Sequence, residues 1–191
     1  MQQFEKEKND FLRKTDKSRK GSVDMQVSKL VKLINSNESY YTTSSCAGRI
    51  LLMEISKTGK KDDAKFIFAA HRKVAAKEIL DALKAKTKNI VRLQQQNVIL
   101  HIACKDLGSA AKILSAARDS GFMQSGIISL KNKVMAEIKN PEGISMIAKK
   151  GSKVLLDEEY LKIACVEMNE KLEGNYKRIN KLHLALEKIL S

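Results

Sequence analysis

Residues 40–52 read YYTTSSCAGRILL, and the interpretation of the whole chain starts from this stretch. Its two tyrosines and two threonines favour an extended strand, because aromatic and β-branched side chains suit a pleated sheet. Five small residues follow, SSCAG at positions 44–48, and after Arg49 comes the apolar run ILLM. The pattern predicts a strand, a tight loop of small residues and a second strand.

Two interpretations of this loop are open on chemistry alone. Small residues let a ligand approach the backbone closely, and the guanidinium of Arg49 can bind a phosphate or a carboxylate through two parallel hydrogen bonds. The loop would then be a ligand site. Alternatively it is an ordinary hairpin turn, because glycine and serine are common in any turn.

The balance of charge points to a polyanionic partner. The chain has 191 residues, with 36 Lys and Arg against 22 Asp and Glu, and a net charge of +14. The excess lies in the centre, since residues 41–100 carry +7 and 101–150 carry +4, whereas 151–191 carry zero. A folded basic surface that binds nucleic acid explains this distribution better than a disordered basic arm. The alternative is a general enrichment in lysine without such a partner.

The cysteines and the hydropathy bear on the compartment. Cys46, Cys104 and Cys165 are odd in number and far apart. A disulfide framework is therefore not expected, and a reducing compartment is. The N-terminus lacks the apolar segment of a secretory signal, and no apolar run is long enough to span a membrane. We therefore expect a soluble, cytoplasmic protein.

Apolar residues at helical spacing predict five helices, at 2–15, 23–34, 74–86, 107–119 and 157–190. The first is expected to place Phe4, Phe11 and Leu12 on one face. In the second, Ser22 is the expected N-cap and Asp24 lies in the first turn. The apolar stripe of that second helix is expected at Val23, Val27, Leu30, Val31 and Ile34. Gly121 is expected to end the helix at 107–119.

Short apolar or alternating runs predict the strands that follow the opening stretch, at 64–70, 89–95, 97–104, 122–130 and 133–139, with a possible edge strand at 144–149. Their order predicts an α+β fold, with an antiparallel or mixed sheet and packed helices. No dinucleotide-binding or Walker glycine pattern occurs, so the fold is not Rossmann-like. We expect one domain over 1–191, made of a helical segment at 1–38, a sheet core at 39–150 and a long helix at 157–190.

Two histidines are further candidates for a metal site or a nucleic-acid contact. His101 and Cys104 have the spacing of a metal pair, but residues three apart on a strand point to opposite faces, so no metal site is expected. His71 ends an apolar run and precedes Arg72 and Lys73. It is either a surface residue at a strand end or a nucleic-acid contact.

Several motifs in a fixed order resemble one family over nearly the whole chain. They are the D-x-S-x-K-G-x-x-D segment at 16–24, the signature at 41–49, His71 after a strand, the H-x-x-C at 101–104, the G-F-x-x-S-G-I at 121–127, and the pair Asn175 and Arg178. Together they are similar to the wybutosine-synthesising family of tRNA methyltransferases, which act at the third step of wyosine modification.

The resemblance implies a reaction and two substrates. S-adenosylmethionine would donate a methyl group to the N4 atom of an aminocarboxypropyl-demethylwyosine base, at position 37 in the anticodon loop of phenylalanine tRNA. Rival interpretations are a non-catalytic basic RNA-binding module and a scaffold that dimerises through its long C-terminal helix.

The resemblance also suggests roles for individual residues. The cofactor pocket would be lined by Ser44, Ser45, Gly48, Arg49, Ser125 and Gly126, with Arg49 holding a carboxylate or phosphate. The expected RNA contacts are Lys20, His71, Arg72 and Lys73. Asp24 or His101 would accept a proton, although Asp24 equally suits a charge at a helix start.

Overall fold

A computed structural model of the chain describes residues 2–13, 23–55, 64–141 and 143–190. Within these ranges the helices are α1 (Gln2–Leu12), α2 (Met25–Ser36), α3 (Ala76–Leu83), α4 (Leu107–Asp119) and α5 (Glu158–Leu190). The strands are β1 (Tyr40–Cys46), β2 (Arg49–Ile55), β3 (Lys65–Ala70), β4 (Ile90–Gln96), β5 (Ile99–Cys104), β6 (Gly126–Ser129), β7 (Val134–Lys139), β8 (Ile144–Lys150) and β9 (Lys153–Val154).

The α+β class is confirmed, with two antiparallel sheets where the sequence predicted one. The chain divides into two compact units. The first holds Met1–Ala47, Val98–Pro141 and Asn175–Ser191, with a sheet in the order β1-β5-β7-β6. The second holds Gly48–Asn97 and Glu142–Gly174, with a sheet in the order β3-β2-β4-β8-β9. The description of 1–191 as a single domain stays a prediction.

The hairpin interpretation of the opening stretch is wrong. β1 pairs with β5 in the first sheet, whereas β2 pairs with β3 and β4 in the second. Two consecutive strands that look like a hairpin in sequence therefore belong to different sheets. By contrast, the strands predicted at 122–130 and 133–139 do form a hairpin around Lys131 and Asn132, because β6 pairs antiparallel with β7.

One face of the first sheet carries the core of the first unit. Leu100, Ile102, Ala136 and Ile138 on the strands are buried with residues of α2, α4 and the C-terminal part of α5. The expected stripe of α2 is confirmed at Val27, Leu30, Val31 and Ile34. Burial of this face supplies most of the stabilisation of the unit, since apolar burial is the dominant favourable term in folding.

The start of α2 differs from the sequence prediction. Asp24 is the N-cap and the helix begins at Met25. Val23 therefore lies before the helix, outside its periodicity, and is 41% exposed instead of belonging to the apolar stripe. The predicted N-cap, Ser22, lies outside the described residues.

The opposite face of the first sheet is partly covered by α1. The rings of Phe4 and Phe11 each pack against the ring of Tyr41, with centroids 5.4 Å apart. Lys133 donates a hydrogen bond of 2.8 Å to the Tyr41 hydroxyl. Leu12 was expected on the same face but is 42% exposed, because adjacent residues of a helix differ by about 100° around its axis and Leu12 follows Phe11 directly.

In the second unit, β8 is not an edge strand. It lies between β4 and β9, although β9 pairs only with Lys149 and Lys150. A turn at Gly151, which has a positive φ of 58°, brings β9 back beside β8. Further buried residues of the unit lie on α3, at Ile79 and Leu83, and on α5. Among the described residues, no helix combines the length and apolar composition needed to cross a membrane.

Gly121 ends α4, as its position in the sequence predicts. The Phe122 N–H donates to the Ala117 carbonyl and the Gly121 N–H donates to that of Arg118, which satisfies the last carbonyls of the helix. Gly121 has φ of 94°, and a Cβ built on it would lie 3.3 Å from Nε of Arg178. The backbone conformation therefore favours glycine here, and a Cβ would in addition require the Arg178 side chain to move by a few tenths of an ångström.

We expect Gly121→Ala to destabilise the protein by about 1–3 kcal/mol, because alanine is strained at positive φ. Urea unfolding measures the change. Gly108→Ala is the control, because Gly108 lies within α4 without a positive φ and its Cβ would make only ordinary contact at 3.4 Å. An equal loss of stability in both variants would contradict this account of Gly121.

Candidate functional site

An irregularity in the pairing of β1 with β5 determines which side chains share a face. Thr42 is opposite Ile102 and Ser44 is opposite His101, so Thr43 is an extra residue on β1. Residues that are directly opposite each other point to the same face of a sheet. Thr42 therefore lies on the core face with Ile102, whereas Ser44 lies on the other face with His101. A bulge of this kind re-aims the side chains that follow it.

Four residues then form one row across the whole first sheet. Ser44 is opposite His101, His101 is opposite Glu137, and Glu137 is opposite Gly126. Ser44 Oγ lies 2.9 Å from His101 Nδ1, and His101 Nε2 lies 2.9 Å from Glu137 Oε2. We call these four residues the polar row. It brings together three of the residues singled out in the sequence and adds Glu137.

The polar row is accessible and chemically organised. About a third of the His101 side chain (32%) and a quarter of that of Glu137 (25%) are exposed. A neutral imidazole with its proton on Nε2 donates to Glu137 and accepts from the Ser44 hydroxyl through Nδ1. The carboxylate thereby fixes the orientation of the ring. The arrangement suits a proton acceptor beside a hydroxyl group.

Gly126 leaves open space at one end of the polar row. A Cβ built on Gly126 would meet no heavy atom within 4 Å. Ser125 differs, because its buried hydroxyl donates to the Phe122 carbonyl at 2.7 Å and accepts from the Lys139 N–H at 3.2 Å. Its side chain therefore holds the loop before β6 in place.

The two serines of the signature do not share a face. Ser45 is opposite Leu100, a core residue, whereas Ser44 is opposite His101. Cys46, opposite Ile99, returns to the face of the polar row. This alternation follows from the period of two in a strand.

Asp24 is the N-cap of α2, and its carboxylate lies beside the end of β1 in the first unit. Its buried carboxylate accepts a hydrogen bond of 3.0 Å from the Ala47 N–H, which joins the start of α2 to the end of β1. Burial, with smaller contributions from Asp24 and Cys46, raises the pKa of Tyr176 to about 12. The Tyr176 hydroxyl therefore stays protonated near neutral pH, next to a second candidate proton acceptor.

Cys104 lies on the core face, opposite to that of His101. The residue is 1% exposed, and burial raises the pKa of its thiol to about 12. A thiol with this pKa is a poor metal ligand near neutral pH, because metals bind the thiolate. Cys104 packs as a small apolar residue.

In the second unit, Arg49 is held from one side. Its Nε donates to Oε1 of Gln96 at 2.8 Å, and its guanidinium carbon lies 4.9 Å from the centroid of the Phe66 ring. No acceptor for its two Nη nitrogens occurs among the residues that the structure describes. The outer edge of the guanidinium can therefore bind a carboxylate or phosphate. Gly48 directly precedes Arg49 and has a positive φ.

Two of the expected RNA contacts are engaged in ion pairs within the second unit. Arg72 forms two hydrogen bonds with Glu78, of 2.6 and 3.1 Å, and these bonds lower the pKa of Glu78 to about 2. Lys73 lies 2.6 Å from Glu173. His71 directly follows β3. Lys20 lies outside the described residues.

The residue that the sequence reasoning missed in the first unit is Glu137. Residues 135–139 read MAEIK, in which apolar and polar side chains alternate as in any ordinary strand. Its role depends on the register between β5 and β7, which no local pattern encodes.

The family model described as Methyltransferase TYW3 matches residues 3–188. The chain belongs to this family. It is therefore a methyltransferase, and the resemblance to the wybutosine-synthesising enzymes is confirmed. The rival interpretation as a non-catalytic RNA-binding module is correspondingly disfavoured.

Named relatives of this TYW3-family chain come from eukaryotes and archaea. The "tRNA wybutosine-synthesizing protein 3 homolog" of Mus musculus is 36% identical over 192 residues, which covers 98% of this chain and 74% of the relative. The "tRNA(Phe) 7-((3-amino-3-carboxypropyl)-4-demethylwyosine(37)-N(4))-methyltransferase" of Archaeoglobus fulgidus is 35% identical over 189 residues, with coverage of 98% and 94%.

Solved structures of similar fold are also archaeal. The PH1069 protein from Pyrococcus horikoshii superimposes with a TM-score of 0.89 at 33% identity, covering 97% of this chain and 96% of that one. A hypothetical protein from Aeropyrum pernix has a TM-score of 0.74 at 22% identity, with coverage of 87% and 99%. The latter likeness concerns the fold alone.

The polar row should act as one unit in methyl transfer. We expect Ser44→Ala and Glu137→Gln each to lower kcat/KM by about 10- to 100-fold, and the double variant to lose no more than the more affected single variant. Residues that act through a shared partner are non-additive in this way. Ser115→Ala, an exposed serine on α4, is the control. Additive losses in the double variant would contradict a connected row.

Proposed function

We propose that the protein transfers the methyl group of S-adenosylmethionine to N4 of an aminocarboxypropyl-demethylwyosine base at position 37 of phenylalanine tRNA. Family membership and the printed name of the Archaeoglobus relative support this reaction. The observation that carries the proposal is full-length similarity to enzymes of one named activity, combined with an accessible polar row on the sheet that bears the family signature.

The residues of the first unit fit a small polar ligand such as the methyl donor. The space beside Gly126 is open, and Ser44 adds a hydroxyl on the same row. Of the candidate cofactor residues in this unit, we propose that Ser44 and Gly126 line the pocket and that Ser125 positions its loop. Ser45 lies on the opposite face of the sheet, beside the core residue Leu100, and is therefore not part of this pocket.

S-adenosylmethionine supplies an electrophilic methyl group on a sulfonium sulfur. Transfer to a nitrogen requires in-line alignment of the reacting atoms more than strong acid–base catalysis. The protein therefore has to orient the two substrates, exclude water and accept any proton that the nitrogen loses. We propose His101 as the proton acceptor, oriented by Glu137, with Asp24 as the second candidate. The accepted proton would reside on Nδ1 of His101, the atom that faces Ser44.

Arg49 is proposed to hold a negative group of the substrates. The base named for the Archaeoglobus relative carries an amino-carboxypropyl chain, whose carboxylate matches the fork of a guanidinium. Gln96 and Phe66 fix the side chain from the other side, so little conformational entropy remains to be lost on binding. Gly48, which precedes it, stays a proposed cofactor contact.

The tRNA contacts are proposed at basic residues. Lys20, His71, Arg72 and Lys73 remain candidates, and the ion pair of Arg72 with Glu78 is exposed, so it resists competition by a phosphate only weakly. The net charge of +14 favours binding of the sugar–phosphate backbone. A base in a single-stranded loop can be unstacked and presented to a site, as other RNA-modifying proteins require.

The reaction can be tested with tRNA from cells that lack this methylation step and therefore accumulate the unmethylated base at position 37. We expect purified protein with S-adenosylmethionine to add one methyl group to the base at position 37, read by mass spectrometry of the digested tRNA. Calorimetry should detect binding of S-adenosylmethionine to the protein alone. Binding of tRNA without methyl transfer, and without heat from S-adenosylmethionine, would instead indicate a non-catalytic RNA-binding module.

The proposed role of Arg49 predicts the effect of a conservative change. Arg49→Lys keeps the positive charge but loses the planar fork, so we expect kcat/KM for methyl transfer to fall about tenfold or more. Arg13→Lys, an exposed arginine after α1, is the matched control and should stay near wild type. Thermal unfolding checks that both variants are folded. An Arg49→Lys enzyme with wild-type kinetics would refute a bidentate role.

A further inference from the structure

Two loops of the second unit are unusually rich in lysine. Residues 84–88 read KAKTK and residues 149–153 read KKGSK, which together contain six lysines and no carboxylate. The first segment follows α3, and the second spans the end of β8, the turn at Gly151 and the start of β9. We call the two segments together the lysine platform.

Hydrogen bonds hold the two loops against each other. Thr87 Oγ1 donates to the Gly151 carbonyl at 2.9 Å, and the Gly151 N–H donates to the Asn89 carbonyl at 3.2 Å. Lys149 is 4% exposed, and its Nζ donates to the carbonyls of Leu83 and Ala85, both at 2.7 Å. This buried ammonium satisfies carbonyls at the C-terminal end of α3 and compensates the negative end of the helix dipole. The platform is therefore a fixed arrangement of positive charge.

A cavity of about 570 Å³ lies on the platform. Leu80, Leu83 and Val154 form its apolar part, whereas Lys84, Lys86 and Ser152 bring polar groups to it. A recess with an apolar wall and a cationic rim matches a ribose with its adjoining phosphates. The apolar wall can accept the carbon face of the sugar, while the ammonium groups neutralise the phosphate oxygens.

Four of the five exposed lysines of the platform are not neutralised by carboxylates, and Lys84 is the exception. Asp81 pairs with Lys84 at 2.7 Å, and Glu54 accepts from the backbone N–H groups of Lys88 and Asn89. In the described ranges, Lys86, Lys88, Lys150 and Lys153 form no ion pair. Four unpaired ammonium groups on two pinned loops create a local positive potential that a polyanion would neutralise.

We propose that the lysine platform binds the sugar–phosphate backbone of the RNA substrate, outside the nucleotide that is methylated. The identity of the RNA as a tRNA rests on the proposed function, whereas the positive surface is a property of the second unit by itself. Contacts of this kind position a nucleic acid without reading its sequence. Binding releases counterions, so affinity depends steeply on salt.

The test compares two fourfold variants of the full-length protein with equal change of charge. The platform variant is Lys86→Ala, Lys88→Ala, Lys150→Ala and Lys153→Ala. The control variant is Lys112→Ala, Lys162→Ala, Lys177→Ala and Lys188→Ala, which removes four exposed lysines from α4 and α5. Binding of fluorescent phenylalanine tRNA is measured by anisotropy over a range of salt concentrations.

We expect the platform variant to bind tRNA at least tenfold more weakly at moderate salt. The slope of log K against log salt concentration should fall by roughly 0.7–0.9 for each phosphate that the variant no longer neutralises. The KM for tRNA should rise while kcat at saturating tRNA and the heat of S-adenosylmethionine binding stay unchanged. The control variant should keep the wild-type slope and KM.

Two results would overturn the proposal. One is a platform variant whose tRNA affinity and salt slope equal those of the control variant. The other is loss of binding to vesicles of anionic phospholipid without any loss of tRNA binding, which would assign the surface to a membrane. If the platform substitutions weaken tRNA binding and yet the wild-type protein never methylates tRNA, the platform stands and the proposed reaction fails.

Discussion

The register between β1 and β5 is the constraint on which the rest of the candidate site depends. One extra residue, Thr43, sends Thr42 to the core face and Ser44 to the opposite face. Without the bulge, Ser44 would share the face of Thr42, because strand residues two apart point the same way. Ser44, His101 and Glu137 could then not be connected by hydrogen bonds. The bulge therefore allows the same strand to close the core and to present a polar group.

The two faces of the first sheet have different tasks. The core face is packed by α2, α4 and part of α5, which fixes the relative positions of the strands. The other face carries α1 over Tyr41 and, one row further along, the polar row. Functional side chains placed on strands of a packed sheet are held more precisely than those on loops. Asp24 also helps to fix the position of β1, because its carboxylate joins the start of α2 to the end of that strand.

Local properties of the fold could be predicted from the sequence, and non-local ones could not. The period of the apolar residues predicts α4 and α5 nearly to the residue, and Gly121 marks the end of α4 because only a local conformation is involved. The pairing of β1 and β2 in different sheets could not be predicted, since the stretch around Gly48 has the composition of a hairpin. The error at Val23 is local instead, because a shift of the helix start by two residues, from 23 to Met25, places Val23 before the helix.

The candidate site shows the same division. The signature and H-x-x-C motifs identify Ser44 and His101 by resemblance, but Glu137 has no sequence signal because its contact with His101 depends on register. The expected basic surface could also be predicted only in part from the sequence. Its lysines are visible in the composition, whereas the ion pairs of Arg72 and Lys73, and the hydrogen bonds that pin the lysine platform, require the folded chain.

The central claim is that the polar row on the first sheet is part of the ligand site. The most direct measurement is an NMR titration of ¹⁵N-labelled protein with S-adenosylmethionine, followed through the backbone amide signals. The account predicts that the amides of Ser44, His101, Glu137 and Gly126 shift together along one binding curve. Unchanged signals for these four residues, with shifts confined to other parts of the chain, would contradict it.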